Sequence, residues 1–87
     1  MQDLIESNKV LVSKHYNAGH VYLIEMPVNM LAVICYSQDE DTEPIYSKAY
    51  FYGEINKNIV LKNARQTFNK IKEFLLQKNL QLIEDLD

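Results

Sequence analysis

Side-chain chemistry gathers at five places in this chain: two histidines, one cysteine, an acidic loop, a row of tyrosines and a basic stretch. His15 and His20 flank a turn signal, Asn17-Ala18-Gly19. As a short-looped hairpin, that spacing sets the two imidazoles opposite one another, about 5 Å apart at Cβ. Such a pair could hold a divalent ion or share a proton and respond to pH. A dependable metal site draws on three or four ligands, and spacing signals no Asp, Glu or Cys nearby. The expectation is a pair of exposed hairpin histidines, with no metal and no cofactor.

Cys35 sits between Ile34 and Tyr36 in an apolar run. A nucleophilic thiol needs access and a depressed pKa, usually beside a histidine or a helix N-terminus. These neighbours predict a buried, inert thiol. Asp39, Glu40, Asp41 and Glu43 invite a calcium reading, but the loop lacks the glycine bend and distal bidentate glutamate of an EF-hand. Solvation is the default for such a cluster, and a basic groove on a partner is the alternative.

Tyr46, Lys48, Tyr50 and Tyr52 alternate along one strand-like segment, with Ile45, Ser47, Ala49 and Phe51 between them. If Ile45, Ala49 and Phe51 lie under a helix, the tyrosines and Lys48 occupy the open face, with Tyr36 beside them. Tyrosine suits an interface because it combines rigid apolar area with a polar tip. It can also stack on single-stranded nucleic acid. Between Lys57 and Lys78 stand Lys57, Lys62, Arg65, Lys70, Lys72 and Lys78 against one acid, Glu73. Lys62, Arg65, Lys70 and Lys72 fall largely off the apolar stripe of a helix, as solvated residues do, and could also meet a phosphate backbone. No helix–turn–helix pattern and no RNP-type aromatic-glycine motif accompanies them.

The elements that position these groups follow from periodicity. Residues 3–8 are too short to assign. Lys9 to Tyr16 and His20 to Met26 read as a hairpin, with Gly19 and Asn17 suited to positive φ in its loop. Pro27-Val28-Asn29 breaks the chain again. Met30 to Ser37 is apolar at nearly every position, the pattern of a central strand covered on both faces. Ile45 to Glu54 is a fourth strand. After Gly53 the period changes: Leu61, Ala64, Phe68, Ile71 and Leu75 recur at three and four, with Thr67 and Phe74 widening the stripe. Asn58 is the expected N-cap and Asn79 the expected left-handed stop. Residues 80–84 alternate enough for a short edge strand, although Leu75, Leu82 and Leu86 also suit a continuing helix. The fold class is α+β, a two-layer sandwich of a three- to four-stranded antiparallel meander with one amphipathic C-terminal helix, in a single domain over residues 1–87.

Composition limits the function. A net charge of −3 disfavours bulk attraction to nucleic acid or anionic membrane but leaves room for a local basic patch. A lone cysteine excludes an intramolecular disulfide and points to a reducing, cytoplasmic setting. The first residues lack the basic start and apolar core of a signal peptide, and Met30–Tyr36 is too short to span a bilayer. General acid–base work needs a positioned histidine or carboxylate pair in a cleft, and one helix on one sheet offers little cleft. The expectation is therefore a non-catalytic protein-binding module. The inhibitor or neutraliser type fits best, anti-defence, antitoxin or immunity, directed at a nucleic-acid-handling enzyme. Its expected binding residues are Tyr46, Lys48, Tyr50, Tyr52, Asp39, Glu40, Asp41 and Glu43, and a homodimer is compatible with the same tyrosine face. The alternative is a small nucleic-acid-binding domain using Lys62, Arg65, Lys70 and Lys72 or the tyrosine face.

Overall fold

A computed structural model describes residues 3–38 and 43–86. A one-turn helix α1 (Asp3–Ser7) leads into strands β1 (Lys9–His15), β2 (Gly19–Met26), β3 (Met30–Ser37) and β4 (Tyr46–Phe51). A long helix α2 (Lys57–Leu76) and a short helix α3 (Leu80–Glu84) follow. The strands pair in chain order, β1-β2-β3-β4, and every pairing is antiparallel. The result is the α+β meander with a long C-terminal helix that the periodicity predicts.

The first hairpin owes its glycine to crowding, not to a positive φ. Tyr16 and Gly19 exchange two backbone hydrogen bonds of 2.9 and 3.2 Å. A Cβ on Gly19 would lie 2.3 Å from the Tyr36 carbonyl oxygen and 3.1 Å from Leu75 Cδ2, so only glycine lets β2 start this close to β3 and α2. Positive φ is instead used at Asn29 (56°), in the β2–β3 turn, and at Gly53 (47°), where the chain leaves β4.

Helix α2 begins one turn signal earlier than the sequence suggests. Asn56, not Asn58, is the N-cap, and its side-chain oxygen accepts from the Asn58 backbone N–H at 2.8 Å. The helix ends in a Schellman arrangement with Lys78, not Asn79, in the left-handed conformation (φ 58°). The Asn79 N–H reaches the Phe74 carbonyl at 2.9 Å, and the Lys78 N–H reaches that of Leu75 at 3.1 Å. The chain then resumes as helix α3 and forms no edge strand. Ile83 is fully buried against the same core, and Leu80 and Leu86 pack around it. One apolar position every turn suits a helix lying on a layer, whereas a strand at 80–84 would bury only alternate residues.

Two clusters form the interior, one on each face of the sheet. The larger unites Val21, Leu23, Leu31, Val33, Cys35 and Tyr46 of the strands with Val60, Ala64, Phe68, Ile71 and Leu75 of α2 and Ile83 of α3. The smaller consists of Tyr22, Ile24, Ala32, Ile34 and Tyr36, with Ile5 of α1 and Met26 packed against it. Strand β3 contributes to both, which explains why its sequence is apolar without alternation. Among the described residues no side-chain polar or charged residue is buried and no buried polar atom lacks a partner. No helix of the described residues is long and apolar enough to cross a membrane.

Candidate partner-binding surfaces

The tyrosine row is turned towards α2, not away from it. Register decides this: Cys35 pairs with Tyr46, Val33 with Lys48 and Leu31 with Tyr50, and those β3 residues face the helix. Tyr46 is buried. Tyr50 is half-buried, and its hydroxyl lies 2.5 Å from Thr67 Oγ1 on α2. Tyr52, just past the strand, packs its ring against the same core and donates to Glu25 Oε2 at 3.5 Å. Only Lys48 of this row is exposed, its ammonium 5.5 Å from the Tyr50 ring centroid. Tyr36, expected beside the row, lies on the opposite face at zero exposure.

Burial of the tyrosines has a simple cause. A tyrosine can bury 150–250 Å², roughly, while Ser47 and Ala49 offer far less apolar surface for α2 to cover. The polar tips need partners, and Thr67 and Glu25 supply them for Tyr50 and Tyr52. Ile45 still reaches the helix layer because it precedes the strand, tied by its N–H to the Cys35 carbonyl at 2.8 Å. Ser47, Ala49 and Phe51 are left exposed on the other side.

The four most exposed large apolar residues flank one end of the sheet, while Val10, Leu76 and Leu82 are exposed as well. Val28 in the β2–β3 turn, Phe51 at the end of β4, and Ile55 and Ile59 at the start of α2 are 57–73% exposed. The chain brings them together there: Met30 pairs with Phe51, and the Tyr52 N–H bonds to the Asn29 carbonyl at 3.0 Å. The Phe51 ring lies across Gly53, 3.1 Å from where a Cβ would stand. Beside this end, Lys57 pairs with Glu25 and lies 5.7 Å from the Tyr52 ring centroid. A cation in the first turn opposes the helix dipole, and the Glu25 carboxylate offsets it. The hydrogen bond from Lys57 holds the Glu25 carboxyl below the ordinary carboxylate range, and the same bond raises Lys57. Sequence reasoning missed this end because its members come from three segments, each unremarkable alone.

The other candidates are placed as follows. Lys62, Arg65 and Lys70 are exposed on α2, and Lys72 is half-buried. Glu43 is exposed, while Asp39, Glu40 and Asp41 lie outside the described residues. Cys35 is fully buried on the helix side, and burial pushes its thiol up to about 12, far from a reactive thiolate. The histidines are on the opposite face, so no cysteine–histidine pair forms. His15 and His20 do stand opposite each other, in register. Among the described residues, no pocket is formed and no group of three or more metal-ligating side chains converges. The chain matches no protein-family model, no curated protein and no solved structure.

Proposed function

We propose that this chain is a small, non-catalytic protein-binding module that engages its partner through the apolar end of the sheet. The observation that supports this reading is the exposure of Val28, Phe51, Ile55 and Ile59 at that end. Small monomeric proteins seldom gather large apolar side chains in water without a use for them, and such patches commonly mark interaction sites. Strand β4 runs into this end as an edge strand, with one side of its backbone unpaired within the sheet. A partner strand added there would sit beside Phe51.

The finer reading is an inhibitor or neutraliser of a nucleic-acid-handling enzyme, of the anti-defence, antitoxin or immunity type, working in the cytoplasm. It rests on charge sorting along the sequence: four acids between Gln38 and Glu43 and three after Asn79 could occupy a cationic groove. A second reading, direct nucleic-acid binding, is favoured by Lys62, Arg65 and Lys70, which project into solvent from one helix. Salt separates the two, because phosphate contacts lose affinity steeply as salt rises.

The test is affinity purification of the tagged chain from its native host, with and without nuclease, beside a Phe51→Ser/Ile59→Ser variant. A protein partner retained after nuclease and lost in the variant supports the module. Retention in the folded variant removes the apolar end from consideration, and loss on nuclease treatment favours the nucleic-acid reading.

A further inference from the structure

The two edges of the sheet differ in how they are guarded. Strand β1 is interrupted by a register shift between Val10 and Val12, carries exposed Lys9 and Lys14, and has α1 beside it. Bulges, lysines and covering elements keep an edge from pairing with another chain. Strand β4 pairs without interruption from Tyr46 to Phe51 and contains neither proline nor glycine. Its single charge is Lys48. Helix α2 lies chiefly over β2 and β3, and Ser47, Lys48 and Ala49 of β4 are exposed.

Register fixes which backbone groups of β4 face outward. The Tyr52 N–H bonds to the Asn29 carbonyl, so these two residues are a hydrogen-bonded pair. Such pairs alternate along an antiparallel ladder, and Leu31–Tyr50, Val33–Lys48 and Cys35–Tyr46 follow. The N–H and C=O groups of Ser47, Ala49 and Phe51 therefore point away from β3. No strand of the described residues lies beside them.

A second copy of β4 fits that row. In an antiparallel pairing about a two-fold axis at Ala49, Ser47 faces Phe51 of the second copy and Ala49 faces Ala49. All three residues then stand in hydrogen-bonded pairs, so three N–H and three C=O groups on each edge are satisfied in six bonds. Moving the axis to Lys48 or Tyr50 pairs only two of the three residues. The Lys48 axis also sets two like charges face to face, which is destabilising. With the axis at Ala49, each Lys48 faces Tyr50 of the second copy, a ring of the kind its ammonium already approaches at 5.5 Å. On the other side of the sheet, the small side chains of Ser47 and Ala49 leave room for the exposed Phe51 ring of the second copy. We propose that the chain forms a two-fold dimer through β4, joining two four-stranded sheets into one of eight strands. This goes further than the partner-binding reading, since it assigns the β4 edge to a second copy and leaves Val28, Ile55 and Ile59 to a different protein.

The experiment is sedimentation equilibrium of the purified chain over a range of concentrations, beside Ala49→Pro and Ala49→Lys. Proline at 49 removes an N–H that points outward, so every bond to β3 is kept. Lysine at 49 sets two charges face to face on the axis. Thermal unfolding checks that each variant is folded, and Ala49→Lys carries the test alone if Ala49→Pro is not. The expected result is a mass that rises with concentration to twice that of one chain. Each folded variant should dimerise at least about tenfold more weakly, since proline alone removes two of the six bonds. A monomer at every concentration overturns the dimer. So does unchanged dimerisation in either folded variant, which places the interface elsewhere. Neither result touches the partner-binding reading, whose test is the loss of a captured protein from the Phe51→Ser/Ile59→Ser variant.

Discussion

Both sides of strand β4 carry aromatic residues, and the two sides have opposite fates. Tyr46 and Tyr50 lie under α2, whereas Ser47, Ala49 and Phe51 face away and are exposed. By hydropathy the ranking should be reversed, since phenylalanine and alanine are more apolar than tyrosine. The difference teaches that a layer is filled by volume and by satisfied polar tips, not by hydropathy alone. Two tyrosine rings fill the space beneath a helix that a serine and an alanine would leave empty. The Tyr50 hydroxyl escapes a desolvation penalty because Thr67 stands within hydrogen-bond reach. Phe51, left over at the end of the strand, becomes part of an exposed apolar patch.

The strongest way to break this comparison is from the helix. Phe68 is buried at the centre of the covered layer, and Phe68→Ala should destabilise the fold by about 3–5 kcal/mol. For a domain of this size that approaches the whole margin of about 5 kcal/mol. Chemical denaturation measures it directly, and near-native stability would mean that α2 does not carry the layer.

A conservative pair sharpens the comparison on β4 itself. Tyr50→Phe keeps the ring and removes the bond to Thr67, so it should cost about 0.5–1.5 kcal/mol. Phe51→Ser, on the exposed side, should change stability by no more than about 0.5 kcal/mol. Equal losses in the two variants would show that both sides of β4 are packed, and a larger loss at Phe51 would invert the assignment of faces.

The smallest effect is expected at the Glu25–Lys57 pair. Because Glu25 is lowered in the folded state, its contribution is present above the ordinary carboxylate range and fades as pH falls through its lowered value. Lys57 is raised, so its contribution is present below the ordinary lysine range and is lost only as pH rises through the raised value. The pair therefore stabilises a plateau across neutral pH. Lys57→Met should flatten the acid side of a melting-temperature profile without shifting the main transition by more than a few degrees. An unchanged acid limb would show that the pair contributes nothing in solution.

Much of the fold was legible in local pattern. The non-alternating run Met30–Ser37 marked a strand covered on both faces, and Ile5 with the smaller cluster provides the second cover. The three-and-four spacing of Ala64, Phe68, Ile71 and Leu75 marked the buried stripe of α2. The turn at Asn17-Ala18-Gly19 placed His15 opposite His20. Each of these depends on a repeat or a turn contained within about twenty residues, where chain geometry leaves few alternatives.

Tertiary contacts decided the rest. Periodicity divides β4 into two sets of side chains but does not say which set meets the helix, because β3 is apolar on both faces and accepts either. That choice fell to register with β3 and to the volume beneath α2. The helical state of residues 80–84 was set by Ile83 entering the core, since five residues hold too few internal bonds to fold alone. The apolar end was illegible because Val28 is far in sequence from Phe51, Ile55 and Ile59, and only the pairing of β3 with β4 sets the β2–β3 turn beside the end of β4. The chain by itself thus determined its four strands, its long helix and the stripe that this helix buries. Which faces met, and which apolar residues were left to water, depended on non-local packing that no short window of sequence contains.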